Sequence, residues 1–196
     1  TDVGVSENLG HVILSDQSFV NSKGEIVQFS SLLKDSQTTI LNLVYYTCPM
    51  LCNLVTTGLT NALIDLPFEI GSKYNVVTVS FNPDDKTDQA FGFSEKYKSL
   101  LGQDSSELNW HFLTGDELAI SQLTNEVGFN AKRNLETMEF AHNAVLVFIN
   151  PNGEILRYLY GIDFSVNDVK LAITESLNTK DQSTVDRLLL FCYNYD

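Results

Sequence analysis

The sequence contains little cysteine and little positive charge. Its 196 residues include three cysteines, which are too few to hold a chain of this length together as a disulfide scaffold. Lysine and arginine total 12 against 25 aspartates and glutamates, which gives a formal net charge of -13. Because a polyanion is repelled by nucleic acids and by anionic lipid headgroups, we expect no nucleic-acid partner and no binding to an acidic membrane surface.

The sequence also lacks long apolar runs and internal repeats. No stretch reaches the roughly 18 apolar residues of a membrane-spanning helix. Residues 1–11 have neither the basic nor the apolar region of a signal peptide. Hydrophobic residues nevertheless make up 43% of the chain, enough for a substantial core. We therefore predict one domain over residues 1–196, with a core of about 15–178 and a C-terminal helical extension of about 179–196.

Strands and helices alternate along the sequence after a predicted N-terminal β-hairpin. The hairpin joins residues 19–20 to 25–27 through the turn-forming segment 21–24. Apolar, β-branched runs predict buried central strands at 38–46 and 75–81. Further strands are expected at 110–113, 144–149 and 154–160, and helices at 87–101, 116–127 and 165–177. This order predicts an α/β fold with a central mixed β-sheet flanked by helices.

A pair of cysteines follows the first buried strand. We predict that Cys48 and Pro49 begin a helix that runs to about residue 64, because proline is favoured in the first helical turn. Three residues separate Cys48 from Cys52, so the two cysteines would lie on one face of that helix. A buried strand that leads into a cysteine at a helix start is the arrangement of thioredoxins, although thioredoxins have two intervening residues. We therefore predict a thioredoxin-like fold.

The cysteine pair has the chemistry of a soft-metal site. Unpaired backbone N–H groups at a helix start stabilise thiolates and lower the pKa of a thiol. Two thiolates at close range bind Cu(I) or zinc, and they can also join as a disulfide. Because two sulfur atoms leave a metal site incomplete, we expect a third ligand from elsewhere in the chain.

Three histidines are available as the third ligand. His11 lies in a segment predicted to be unstructured, and His111 falls in a short apolar strand, where a packing role is expected. His142 comes just before the strand predicted at 144–149. In a thioredoxin-like sheet, the loop that enters this strand faces the start of the cysteine-bearing helix. We therefore predict that His142 joins Cys48 and Cys52 as a metal ligand.

Several motifs of the sequence resemble those of the Sco/SenC family. They are YTCPMLC at 46–52, SFNPDDKT at 80–87, WHFLTG at 110–115, and a histidine before AVLVFINPNGEI at 144–155. The motifs stand in the family's order from about residue 15 to 177. The resemblance implies a thioredoxin-like fold that binds one copper ion, as Cu(I) or Cu(II), through Cys48, Cys52 and His142.

The resemblance also implies a function and a location. Sco/SenC proteins help assemble the binuclear copper centre of cytochrome c oxidase, so the resemblance implies a metallochaperone that delivers copper to that centre. The expected partner is therefore a copper-acceptor protein such as subunit II of that oxidase. The family is extracytoplasmic and usually membrane-tethered, so the resemblance implies a bacterial periplasm or an intermembrane space. We expect the periplasm, with tethering to the membrane through an anchor that is absent from this chain. The segment after residue 178 resembles a C-terminal extension found in a bacterial subgroup.

The segment that follows the second buried strand is acidic. The family often has Asp-Pro where this sequence has Asn82-Pro83, although Asp84 and Asp85 lie nearby. Together with Asp88, these carboxylates suggest a hard-cation site. Acidic residues at a helix start are more often explained by the helix dipole, and this is the role we expect for them.

Other functions use the same residues and remain open at this point. A thiol-disulfide oxidoreductase would attack with Cys48 and resolve the mixed disulfide with Cys52, and so reduce the cysteines of a partner copper protein. A redox or copper sensor would also use this pair. A thiol peroxidase would need a threonine and an arginine beside one reactive cysteine; Thr47 is adjacent, but no arginine is near the motif in the sequence.

Four residues near the motif or beyond the core receive smaller roles. Tyr45, Tyr46 and Met50 are expected to shape the mouth of the site, with Met50 filling space rather than binding metal. Cys192, in the C-terminal extension, is expected to be either buried or open to intermolecular pairing. We do not predict it to be a ligand.

Overall fold

The computed structural model describes residues 3–14, 16–34, 36–102 and 108–178. The strands are β1 (Gly4–Val5), β2 (Ser18–Asn21), β3 (Ile26–Gln28), β4 (Thr38–Val44), β5 (Tyr74–Ser80), β6 (Trp110–Thr114), β7 (Phe129–Asn130), β8 (Lys132–Arg133), β9 (Phe140–Ala141), β10 (Val145–Ile149) and β11 (Ile155–Tyr160). The helices are α1 (Leu51–Ile64), α2 (Thr87–Leu100), α3 (Glu117–Glu126) and α4 (Val166–Asn178), and a 3-10 turn covers Phe29–Leu32. The predicted C-terminal extension, with Cys192, lies outside the described residues.

Seven strands form one mixed sheet in the order β11-β10-β4-β5-β6-β2-β3. The three central strands β4, β5 and β6 are parallel, and the outer strands run antiparallel to their neighbours. Every residue of β4 and β5 is buried, as their apolar, β-branched sequences require. Helix α1 packs beside α2 and α4, while α2 packs against β6 and α4 against β10. The predicted α/β architecture, with a mixed sheet flanked by helices, is confirmed.

The pairing of β10 with β4 decides which loops meet. The two strands are antiparallel, and Leu146 of β10 lies opposite Asn42 of β4. The first residues of β10 therefore lie beside the last residues of β4. As a result, the segment that enters β10 and the segment that leaves β4 are neighbours, although about 90 residues separate them in the sequence.

Helix α1 begins three residues later than predicted, at Leu51 instead of Cys48. Met50 has φ -147° and ψ -66°, outside the helical region, and the N–H of Cys48 donates to the Tyr45 carbonyl in a turn (3.1 Å). The prediction that Cys48 and Pro49 start the helix is therefore wrong. Cys48 lies in the turn before α1, where its sulfur accepts the N–H of Cys52 (3.4 Å) and satisfies one of the unpaired donors of the first helical turn.

The N-terminal segment is ordered, contrary to the prediction for the residues around His11. The carbonyl of His11 accepts the N–H of Ile155 (2.9 Å), and the N–H of Gly10 donates to the Ile155 carbonyl (2.8 Å). The segment thus adds backbone hydrogen bonds along β11. Two short antiparallel pairs, β1 with β7 and β8 with β9, were also not predicted, because two-residue strands have no recognisable periodicity.

No helix among the described residues has both the length and the apolar character needed to cross a bilayer.

Candidate metal centre

Two neighbouring segments bring Cys48, Cys52 and His142 together. The turn between β4 and α1 carries Cys48, Cys52 is the second residue of α1, and His142 lies between β9 and β10. One ligand atom from each side chain lies within 4.8 Å of the other two. Within the cluster, Cys52 Sγ lies 3.4 Å from His142 Nε2. Both cysteines are free thiols, so the three predicted site residues form one reduced cluster.

The two thiols have opposite pKa shifts. Burial raises the pKa of Cys48, but hydrogen bonds from the backbone N–H groups of Cys52 and Met50 outweigh it, so the pKa of Cys48 is lowered overall. Burial raises the pKa of Cys52 far above the ordinary value, and the hydrogen bond from the Tyr45 N–H (3.3 Å) offsets this only in part. Cys48 is therefore the more easily ionised thiol, and Cys52 keeps its proton until a ligand replaces it.

His142 has the tautomer that a metal ligand needs. Its Nδ1 lies 2.9 Å from the backbone carbonyl of Asn143, and because a carbonyl only accepts, Nδ1 must carry the ring proton. The lone pair is then on Nε2, the nitrogen that faces Cys52 Sγ. Burial lowers the pKa of His142, opposed by the Asn143 hydrogen bond, and so favours the neutral ring.

Aromatic rings form the wall behind the imidazole of His142. The ring centroids of Phe81, Tyr45 and Phe129 lie 5.0, 5.9 and 6.1 Å from that of His142. Tyr45 is buried, so it contributes to this wall as expected for a residue that shapes the site. The same expectation is wrong for Tyr46, whose hydroxyl donates to the carbonyls of Thr78 and Leu113 inside the domain, at 3.2 and 2.8 Å.

Asp85 is a residue of the site that the sequence did not reveal. Its side chain is buried, with 3% exposed. The carboxylate accepts hydrogen bonds from the Tyr46 N–H (2.5 Å) and the Thr47 hydroxyl (3.0 Å), and from Ser80 Oγ (2.7 Å) and Asn82 Nδ2 (3.0 Å). Asp85 thus ties the end of β5 to the two residues before Cys48. The helix-dipole role predicted for it is wrong, because the carboxylate points into the domain.

The other candidate ligands lie in ordinary structural surroundings. His11 Nε2 is 3.7 Å from a Glu126 carboxylate oxygen. His111 lies in β6, where its Nε2 contacts Asn109 Oδ1 (2.8 Å) and burial lowers its pKa to about 4, which agrees with the packing role predicted for it. Among the described residues, the cluster of Cys48, Cys52 and His142 is the one group of three or more cysteine, histidine or acidic side chains with metal-binding geometry.

The suggested hard-cation site at 84–88 does not form in the part of the chain that the structure describes. Asp84 pairs with Arg133 instead, at 2.6 Å. Asp85 is turned into the domain, and Asp88 lies in the first turn of α2, where a carboxylate stabilises the helix dipole. The donors that do converge are two sulfurs and one imidazole nitrogen, which is a soft ligand set.

Comparison with known proteins identifies the family of this chain. The SCO1/SenC family profile matches residues 6–177. ScoI of Arabidopsis thaliana, solved with copper bound, is 16% identical over 85% of this chain and 99% of its own, with a TM-score of 0.64. BsSco, described as a member of the Sco family of cytochrome c oxidase assembly proteins and as having a disulfide switch, is 18% identical over 88% and 97%, with a TM-score of 0.66.

A third structure and the curated proteins complete the comparison. A protein of Aquifex aeolicus VF5 described as an electron transfer protein is 22% identical over 88% of this chain and 95% of its own, with a TM-score of 0.76. No curated protein matches the chain significantly. The structural likeness confirms the predicted thioredoxin-like fold. Since the family profile spans nearly the whole described domain, the chain belongs to the SCO1/SenC family.

Proposed function

We propose that this protein is a copper metallochaperone that holds one Cu(I) ion through Cys48, Cys52 and His142. The observation that carries the proposal is the convergence of two free sulfurs and the unprotonated Nε2 of a histidine within 4.8 Å. Thiolates and imidazole are the ligands that Cu(I) prefers. The Arabidopsis relative, which has copper bound, supports the choice of ion.

The number of ligands favours copper over zinc as the cargo. Structural zinc sites are almost always closed by four protein ligands. The described residues supply three, and each comes from a segment that is fixed by backbone hydrogen bonds or strand pairing. A three-coordinate site suits a carrier, since an incoming ligand from an acceptor protein can bind the ion before the carrier releases it.

Each of the three side chains has a distinct task in loading. Cys48, with its lowered pKa, offers a thiolate first. Cys52 must release its proton when its sulfur binds the ion, because burial raises its pKa. His142 binds through Nε2 without moving a proton, since its lowered pKa favours the neutral form and Nδ1–H stays on the Asn143 carbonyl.

We further propose that the acceptor is a copper protein of the respiratory chain, with cytochrome c oxidase subunit II as the specific expectation. The description of BsSco as one of the cytochrome c oxidase assembly proteins supports this destination. We propose an extracytoplasmic location with membrane tethering, which the solved SCO1/SenC family lipoprotein of Bacillus anthracis supports.

Thiol-disulfide exchange is a second candidate function, and one observation favours it. An exchange reaction needs one thiol that ionises easily and a second that waits as a thiol, and Cys48 and Cys52 differ in this way. Cys48 would attack a partner disulfide, and Cys52 would then displace the partner's second thiolate and leave a Cys48–Cys52 disulfide. The disulfide switch described for BsSco supports the same reading.

An anaerobic Cu(I) titration of the reduced protein against a competing chelator tests the proposed function. We expect one tight equivalent, and about 100-fold weaker binding in His142→Ala, because losing a ligand should cost at least as much as losing a second-shell partner. His11→Ala is the matched control and should bind like the wild type. Weak Cu(I) binding that is the same in wild type and His142→Ala, with ready formation of a Cys48–Cys52 disulfide, would make thiol exchange the function instead.

A further inference from the structure

The backbone of Cys48 is held by two hydrogen bonds, and one of them comes from a side chain of α1. The N–H of Cys48 donates to the Tyr45 carbonyl at 3.1 Å. The carbonyl of Cys48 accepts a hydrogen bond from the side-chain amide of Asn53, whose Nδ2 lies 3.1 Å away. Both polar backbone groups of this ligand are therefore fixed, and one of them depends on Asn53.

The start of α1 explains why the Cys48 carbonyl needs a side-chain donor. In a continuous helix, the N–H of Cys52 would donate to the carbonyl of the residue four positions earlier, which is Cys48. Here that N–H donates to the Cys48 sulfur instead, at 3.4 Å. The first helical turn therefore leaves the carbonyl to another donor. Asn53, the third residue of α1, supplies that donor from its side chain.

Helix α2 orients the amide of Asn53. Lys96 Nζ donates to Asn53 Oδ1 at 2.8 Å. The hydroxyl of Tyr97 lies 3.0 Å from the same oxygen and 3.1 Å from the Asn53 backbone carbonyl. Because a lysine ammonium can only donate, the amide oxygen must face α2 and the amide NH₂ group must face Cys48. The contacts with α2 thus determine which end of Asn53 meets the Cys48 turn.

The two residues that orient Asn53 are supported by their own packing. Tyr97 is fully buried, and its ring centroid lies 4.7 Å from that of Phe93. The ammonium of Lys96 lies 4.8 Å from the centroid of the Tyr97 ring, which is an attractive cation–π arrangement. Lys96 is exposed and Asn53 is half-buried. The link from α2 to the cysteine turn is therefore anchored in the core by Tyr97.

The position of Cys48 matters for the strength of copper binding. Cys52 is part of α1, whereas Cys48 lies in the turn before that helix and depends on such contacts for its place. Asp85 bonds to the two residues before Cys48, and Asn53 bonds to the carbonyl that follows its side chain. Conformational freedom that a ligand loses when the ion binds is subtracted from the affinity. A Cys48 turn that is already held in place therefore binds copper more tightly.

We propose that Asn53 is a positioning residue for copper binding, whose amide holds the Cys48 carbonyl so that the Cys48 sulfur stays beside Cys52 and His142. This inference rests on the proposed function and adds to it a residue outside the ligand set. Asn53 does not bind the ion and acts through the backbone of Cys48. Removing its hydrogen bond frees the turn and weakens Cu(I) binding, although all three ligands remain.

Matched asparagine variants test this role by anaerobic Cu(I) competition against a chelator. Asn61 is exposed on the same helix, so Asn53→Ala and Asn61→Ala change helix propensity alike, and only the first removes the hydrogen bond to Cys48. We expect Asn53→Ala to bind Cu(I) about tenfold more weakly, as for the loss of a residue that supports a metal ligand. Asn61→Ala should bind like the wild type. Equal affinity in Asn53→Ala and the wild type would overturn the proposal.

Asn53→Asp separates the hydrogen bond to Cys48 from the contact between α1 and α2. The carboxylate can still accept from Lys96 and Tyr97, but it has no N–H to donate to the Cys48 carbonyl. Its negative charge attracts a cation, so weaker Cu(I) binding in this variant cannot be an effect of charge. We expect Asn53→Asp to lose at least as much affinity as Asn53→Ala. Wild-type affinity in Asn53→Asp would show that contact with α2 is sufficient, and the proposal would be wrong.

Urea unfolding of the metal-free variants distinguishes positioning from loss of the fold. We expect both Asn53 variants to be fully folded under the conditions of the titration, and Asn53→Asp to be helped by an acidic residue in the first turn of α1. A loss of affinity that appears only in a partly unfolded variant would contradict a positioning role. Weak Cu(I) binding by the wild type itself would instead refute the proposed function, so the two failures are distinguishable.

Discussion

Neighbouring residues with the same chemistry have different roles in this protein, and the acidic pair after β5 illustrates this at the scale of single residues. Asp84 is exposed and pairs with Arg133 at the surface. Asp85 is buried and receives four hydrogen bonds, two from the residues directly before Cys48 and two from residues at or just beyond the end of β5. An exposed ion pair contributes little to stability, whereas a buried carboxylate leaves several donors unpaired when it is lost.

We predict that Asp85→Ala lowers the free energy of unfolding by about 3 kcal/mol, because the buried donors that now bond to the carboxylate would lose their acceptor. Asp84→Ala serves as the control and should change stability by less than about 1 kcal/mol. Urea unfolding at neutral pH, followed by circular dichroism, measures both values. Equal destabilisation by the two substitutions would show that Asp85 does not fasten the Cys48 turn.

The chemistry of single residues could be predicted from the sequence more readily than their surroundings. Cys48, Cys52 and His142 could be selected because few residue types bind soft metals, and because His142 precedes a recognisable strand. Asp85 was missed because an acidic residue before a helix usually serves the dipole, and nothing local indicates that it turns inward. The available signal was its position just beyond a buried strand whose end meets the same sheet edge as Cys48.

At the scale of secondary-structure elements, the close approach of α1 to its neighbours supports the site. Gly58, in the middle of α1, lies against the connection between β11 and α4. A Cβ placed on Gly58 would be 2.1 Å from the carbonyl oxygen of Ile162, far inside any real contact. Glycine weakens a helix interior, so its presence in α1 reflects this packing and not the needs of the helix itself. The same helix carries Cys52.

Substitutions of two helical glycines test this packing. Gly58→Ala should lower the free energy of unfolding by about 2–3 kcal/mol, because the added methyl group overpacks a backbone contact that cannot yield easily. Gly92→Ala, on the exposed side of α2 with no atom within 4 Å of the added Cβ, should raise it by about 0.5–1 kcal/mol. Thermal or urea unfolding measures both. If the two variants changed stability in the same direction, α1 would not pack against the Ile162 backbone as closely as the structure indicates.

The positions of the main elements could be predicted, but their ends could not. The strands β4, β5, β10 and β11 follow from apolar, β-branched runs and clear turn signals. The start of α1 was misplaced because Pro49 fits a first helical turn and also fits the preceding turn that the structure has. Where a helix begins depends on which of its first backbone N–H groups find acceptors. Here the N–H of Cys52 donates to the Cys48 sulfur, which lies in the turn before the helix.

At the scale of the whole molecule, a mixed sheet holds a reduced Cys–Cys–His cluster at the edge where β4 ends and β10 begins. The order of the strands matters more than any single element, because it joins segments that are far apart in the sequence. The formal net charge of -13 makes nucleic acid an unsuitable partner, and that expectation remains a prediction. The fold and the converging soft ligands support the proposed role of a carrier that presents one soft ion to another protein.

X-ray absorption spectroscopy of the Cu(I)-loaded protein tests this account most directly. We predict a copper shell of two sulfur donors and one nitrogen donor in the wild type, and a shell without the histidine nitrogen in His142→Ala. A wild-type shell dominated by nitrogen and oxygen, or one that is unchanged by His142→Ala, would contradict the assignment of Cys48, Cys52 and His142 as the copper site.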